Sequence, residues 1–216
     1  MEVSSSTIET SGARKSLARP WSIWVVSDGR TGIENQSLGL AEAVADLVPA
    51  EITRHTVAWK PAFDRLPSGL KQPWMLANGR ELLDGPEFPD LWIATGRASL
   101  PLSVRVKAAS KGKTLVVQTQ DPRWKNSVYD LIVAPEHDRV TGPNVLSILG
   151  SPHRITPKRL AAAAPAFSAQ IEPLPQPRVA VMIGGKSKAF DLTPDHAAQL
   201  ADQIASAVQA VGAACC

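Results

Sequence analysis

Short apolar runs alternate along this chain with longer segments whose apolar residues recur at helical spacing. Residues 22–27 (SIWVVS) form a compact apolar run that ends at Asp28-Gly29, as a buried strand does. Residues 33–48 then place Leu40, Val44, Leu47 and Val48 on one helical face, and Pro49 stops the helix. Further strands are expected at 51–57, 91–95, 114–119, 130–134 and 144–149. After the third strand, Ser99 reads as a helix cap, Pro101 as a first-turn residue and Gly112 as the stop. Residues 156–167 predict an Ala-rich helix. Residues 171–177 (IEPLPQP) have the proline density of a linker. A strand is expected at 178–183. A last helix follows, capped by Thr193, with Ala197, Leu200, Ile204, Val208 and Val211 as its apolar stripe and Gly212 at its end.

Strands alternating with helices predict an α/β fold: a Rossmann-like, doubly wound, mostly parallel sheet covered on both faces. The expected organisation is a disordered tail over 1–20, a Rossmann-like domain over 21–170, the linker 171–177, and the start of a second Rossmann-like domain over 178–216. One strand and one helix do not bury a core by themselves, so the second domain is expected to be cut short.

Composition narrows the function classes. The 216 residues are 44% hydrophobic and 20% charged, the ordinary balance of a globular chain. A net charge of +3 favours anionic partners, yet Lys and Arg are not concentrated as in nucleic-acid binders, so no nucleic-acid partner is expected. The only cysteines, Cys215 and Cys216, leave no internal disulfide to form and point to a reducing, cytoplasmic compartment. A terminal Cys-Cys also ends some prenylated proteins, but nothing else here resembles them. Residues 1–20 lack the apolar core of a secretory signal.

Residues 59–76 (WKPAFDRLPSGLKQPWML) fit no regular element. Three prolines interrupt them, yet Trp59, Phe63, Leu66, Leu70 and Trp74 carry much apolar surface between Lys60, Arg65 and Lys71. Two readings stand: a loop-rich segment packed on its own sheet, or an interfacial patch that touches the inner membrane face or a lipid-linked acceptor.

In parallel sheets, ligands bind beyond the carboxyl ends of the strands. Polar residues gather there: Asp28-Gly29-Arg30-Thr31-Gly32 with Asn35 and Gln36, then Gly96-Arg97, then Gln118 through Arg123, then Glu136-His137-Asp138, then Gly184-Gly185-Lys186-Ser187. Gly29, Gly32, Arg30, Asn35, Gln36, Gly96, Arg97, Asp121 and Arg123 are the candidate phosphate or acceptor contacts. Arg97 equally suits pairing with Asp28 or Asp121, and Asp121 pairing with Arg123. Asp28, His137 and Asp138 are the candidate acid/base groups. No metal site is expected, because no second histidine lies near His137 in sequence. The first turn is G-x-x-G, not the G-x-G-x-x-G of a dinucleotide site, and no acidic residue ends the second strand. A P-loop needs glycine five positions before Gly185, where Ala180 stands. An epimerase Y-x-x-x-K pair is missing, because Val133 lies four positions after Tyr129.

DGRTGIENQSLGLAEA, ATGR at 94–97, QTQDPR at 118–123, APEHD at 134–138 and IGGKSKAF after the linker together resemble the mitochondrial fission family named for elongated mitochondria, in its bacterial branch. That family is similar to two-domain glycosyltransferases of the B fold. The resemblance implies a nucleotide-sugar substrate and no other cofactor. It implies that Gly29, Gly32, Asn35 and Gln36 line the acceptor side, and that Gly184, Gly185, Lys186 and Ser187 face the donor diphosphate. It also implies that a chain stopping so early in its second domain does not transfer sugar alone. The competing expectation is a non-catalytic adaptor that recruits a partner or a membrane.

Overall fold

The structure, a computed structural model, describes residues 19–85, 87–184 and 191–215. Most of the tail expected over 1–20 therefore lies outside the described residues. The chain divides into two compact units, one ending at Arg154 and one beginning at Ile155.

The first unit is built on a sheet of six parallel strands: β1 (Trp21–Ser27), β2 (Ala50–Thr56), β3 (Leu91–Thr95), β4 (Leu115–Thr119), β5 (Leu131–Pro135) and β6 (Val145–Ile148). Their order across the sheet is β2-β1-β3-β4-β5-β6, and every neighbouring pair is parallel. The doubly wound fold expected from the alternation is thus the observed one. Each strand lies within a residue or so of its expected position, because buried apolar runs bounded by Asp-Gly, Thr-Gly and Pro leave little freedom in where a strand starts and stops.

Alternating side chains fill two separate cores, one on each face. Helix α1 (Thr31–Ala45) brings Leu38 and Ala41 onto Ile23, Val25, Leu91, Ile93, Val117 and Val133. On the opposite face, helix α2 (Leu100–Ala109) brings Leu100, Leu102 and Val106 onto Val26, Trp92, Ala94, Val116 and Ile132. The proline-broken segment between β2 and β3 covers the rest of that face with Val57, Trp59, Met75, Leu76 and Leu82. Each such large aliphatic side chain contributes about 1.5–3 kcal/mol when fully buried. The fully buried Trp92 also donates its indole N–H to Ser103 Oγ at 2.9 Å, so no polar atom is stranded.

Ser99 differs from its expected role. Its backbone is already helical (φ −81°, ψ −20°), so its hydroxyl does not cap α2 and instead donates back to the Gly96 carbonyl at 2.8 Å. The turns from β4 to β5 and from β5 to β6 carry one-turn helices of the tighter kind at Asn126–Val128 and Glu136–Asp138. Glu136–Asp138 stands at the sheet's carboxyl edge, directly after β5, whereas Asn126–Val128 lies by the amino end of β5, where its Asn126 carbonyl accepts from Asn144.

In the second unit, Thr156 caps α3 (Pro157–Ala163) by accepting the Arg159 N–H at 3.2 Å. The helix expected over 156–167 breaks at Ala163 because Pro165 removes a backbone donor, and a tighter turn, Ala164–Ala166, continues the chain. Thr193 caps α4 (Pro194–Ala210) through the His196 N–H at 3.2 Å, and Gly212 follows with φ +63°. The strand expected over 178–183 is shorter: only Arg178–Val179 pairs, in parallel with Ala214–Cys215.

Residues 150–154 run back across α1. Arg154 pairs with Glu42, and the His153 carbonyl lies so close to Gly39 that an added Cβ would stand 2.4 Å from its oxygen. Gly39→Ala is therefore expected to destabilise the first unit by about 1–3 kcal/mol, as overpacking does, read as a lower urea midpoint with an unchanged slope.

Candidate functional site

The polar turns at the carboxyl edge differ in what their charges already do. After β1, Gly29 has φ +80°, and a Cβ there would meet Thr56 Cγ2 at 2.9 Å, so only glycine makes this turn. Arg30 folds onto Asp28, with Nε and an amino group 2.9 and 2.6 Å from Oδ2. The hydrogen bond and charge of Asp28 raise the Arg30 pKa. That pair is neutralised internally. Gly32 and Asn35 lie in α1, and Gln36 beside them holds a buried Oε1 that no protein group donates to. In the first turn of α1, Glu34 accepts Arg54 Nε at 2.6 Å.

After β3, Gly96 has φ +85° and packs near Asp28 and the Ile33 side chain. Arg97 pairs with neither Asp28 nor Asp121, as pairing would have required. It donates to the backbone carbonyl of Asp64 at 3.2 Å, a neutral partner. The same carbonyl accepts Lys71 Nζ at 2.9 Å. Lys71 is 1% exposed, and its ammonium lies 4.8 Å from the centre of the Trp59 ring. Burial lowers the Lys71 pKa, Asp64 opposes this, and the Arg97 charge adds to it.

After β4 the backbone takes an unusual path. Gln120, Arg123 and Lys125 all have left-handed φ values, +69°, +51° and +51°. Such residues cost about 1–3 kcal/mol each where sterically strained, and they cluster where a loop must hold a fixed shape. Three hydrogen bonds hold this one. The Gln120 N–H donates to the Val133 carbonyl at 3.0 Å, the Asp121 N–H to Asp138 Oδ2 at 3.0 Å, and the Arg123 N–H to Asp121 Oδ1 at 2.8 Å. The expected Asp121–Arg123 turn is thus present, with Arg123 Nε 3.8 Å from the carboxylate. Asp138, from the turn after β5, ties the two loops together.

These pieces enclose a cavity of about 660 Å³ beyond β3, β4 and β5. Of the candidate residues, Gly96, Arg97, Asp121, Arg123 and Asp138 line it. Asp28, Gly29, Arg30, Gly32, Asn35, Gln36 and His137 do not. His137 has a largely exposed side chain, 3.8 Å from Asp138 Oδ1. Gly184 belongs to the second unit and is exposed, and Gly185, Lys186 and Ser187 lie outside the described residues. The cavity also takes Gln118 from β4, Gln120 and Trp124 from the loop after it, Leu100 from α2, and Pro67, Ser68 and Gly69 from the segment after β2. Gln118 and Gln120 stood in the polar run after β4 but were not singled out. A polar residue inside a run otherwise made of buried apolar positions was the signal. Nothing local marks Ser68 or Gly69. They reach the cavity because the 59–76 segment folds over the sheet, with Gly69 against the Trp124 indole.

That segment packs on its own sheet at Trp59, whose indole N–H donates to the Ala98 carbonyl at 2.9 Å. Phe63 and Trp74 meet edge to face at 5.1 Å, yet Trp74 and Leu70 remain exposed. Among the described residues, no helix is long and apolar enough to cross a membrane, and no group of three or more His, Cys, Asp or Glu gathers to hold a metal ion.

Compared with known proteins, residues 31–216 match the family model described as mitochondrial fission ELM1. The chain belongs to that family. The ELM1 match runs from the first residue of α1 through every loop that lines the cavity. An uncharacterized protein of Rickettsia prowazekii is 30% identical over 119 residues, which cover 54% of this chain and 32% of that protein. The match thus spans about a third of the relative's length. No solved structure matches the chain.

Lys71 gives this ELM1-family fold a pH signature. Between its lowered folded value and the ordinary 10.5, the unfolded chain holds a proton that the folded chain has shed. Stability is therefore expected to rise with pH through that window. Urea unfolding from pH 7 to 10 checks it: the difference in stability between wild type and Lys71→Met should shift in favour of wild type as pH rises.

Proposed function

We propose that this ELM1-family chain carries the acceptor-binding cavity of a nucleotide-sugar-dependent glycosyltransferase and holds the nucleotide-sugar donor on its second unit. The observation that carries the reading is the cavity at the carboxyl ends of β3, β4 and β5, with the Asp138 carboxylate in its wall. In this reading Asp138 is the general base. One of its oxygens is fixed by the Asp121 N–H, which orients the carboxylate, and its side chain is only 19% exposed. The acceptor hydroxyl gives its proton to Asp138, its oxygen bonds to the anomeric carbon, and the bond from that carbon to the nucleoside diphosphate breaks. The donor diphosphate would be held by the second unit, by the Gly184-Gly185-Lys186-Ser187 run of the sequence. Asp28 is a weaker base candidate because Arg30 occupies its carboxylate.

Isothermal titration with UDP-, GDP-, ADP- and CDP-sugars tests the reading. Heat is expected with at least one of them, at a dissociation constant of about 1 μM to 1 mM, the usual span for enzyme substrates. Flat titrations with all four overturn it.

A second reading, an adaptor that touches a membrane surface, is favoured by one observation: Trp74 and Leu70 are 54% and 61% exposed on a segment that also carries Lys60 and Arg65. On that reading the chain floats with anionic vesicles and the double variant Leu70→Ser/Trp74→Ser does not. Equal flotation of the two removes it.

A further inference from the structure

The cavity carries charges of both signs. On one side stands Arg97, whose guanidinium among the described residues donates to the neutral Asp64 carbonyl alone, with the Lys71 ammonium on that same carbonyl behind it. On the other side stand the carboxylates of Asp121 and Asp138, each already accepting a backbone N–H. The Trp124 indole forms a flat wall, and the backbone approaches it at Gly69.

Gln118 adds the group that decides. It points to the same sheet face as Val116, toward α2, and it lines the cavity at 1% exposure. Its Nε2 donates to the Thr119 carbonyl at 3.1 Å, and no group among the described residues donates to its Oε1. A buried amide oxygen without a donor is destabilising, and native structures keep few of them. The cost is recovered when a ligand brings the donor. A site that holds such an acceptor also rejects ligands that lack the matching hydroxyl.

We propose that the cavity takes a hydroxylated phosphate ester, in the manner of a sugar phosphate. The phosphate lies on Arg97, and a ligand hydroxyl donates to Gln118 Oε1. Other hydroxyls lie toward Asp121 and Asp138. The proposal rests on reading this cavity as the acceptor side, and it makes Gln118 the residue that selects a hydroxylated ligand from a bare anion.

Three probes test it by calorimetry: glucose 1-phosphate, glucose and inorganic phosphate. Wild type is expected to bind glucose 1-phosphate at least tenfold tighter than either of the others. Gln118→Leu should bring glucose 1-phosphate down to the affinity of phosphate and leave phosphate unchanged. Arg97→Ala should weaken both. If Gln118→Leu does not fold, Gln118→Met, which keeps the side-chain length, carries the same comparison. Glucose 1-phosphate affinity unmoved by the Gln118 change overturns the proposal, as it would if a water alone served Oε1. Failure of every probe to bind also overturns it. If nucleotide-sugar heats persist in that case, the transferase reading stands without this ligand; if they too are flat, both fall.

Discussion

Six parallel strands sealed on both faces leave polar side chains one place to gather, the edge where the strands' carbonyl ends finish. Helix α1 closes one face, and α2 with the proline-broken segment closes the other. The alternation that fills those two cores continues to the last residue of each strand. Thr95 and Thr119 therefore turn to the α1 side, where they join Ser37 in a buried chain of hydroxyls. Gln118, one position earlier, turns to the α2 side and into the cavity. The site thus inherits its geometry from the pleat.

Charge at this edge is sorted by local pairing. Asp28 and Arg30 lie two residues apart and satisfy each other, as do Asp121 and the Arg123 backbone. Exposed pairs of this kind add little stability, but the Asp28–Arg30 pair removes both of its charges from the set open to a ligand. Arg97 escapes because its partner is a carbonyl. The sign of the cavity's basic wall therefore depends on which arginine lacks a carboxylate, not on how many arginines stand nearby.

Much of the fold was legible because buried strands and capped helices have local signatures: the apolar run 91–95, the Thr193-Pro194 start of α4, and the Asp28-Gly29 turn all stand as read. Five of the candidate site residues, Gly96, Arg97, Asp121, Arg123 and Asp138, also stand together, since the end of a parallel strand is itself a position in space. What could not be read was the contribution of the segment after β2. Ser68 and Gly69 owe their place to Trp59 burying itself under Ala98, a contact across 39 positions. Local spacing carries no trace of such a contact. The break of the Ala-rich helix at Ala163, by contrast, had a local mark in Pro165, set against a periodicity that ran on past it.

The Asp64 carbonyl serves as a pivot shared by two cations, Lys71 from within its own segment and Arg97 from the cavity rim. Segment and rim are geared through that one oxygen. Lys60 also holds the Trp74 carbonyl at 2.8 Å, so the exposed indole is coupled to the same short length of backbone. The exposed Trp74 indole and the Arg97 guanidinium at the cavity rim thus hang on one short length of backbone, held by cations at the Asp64 and Trp74 carbonyls.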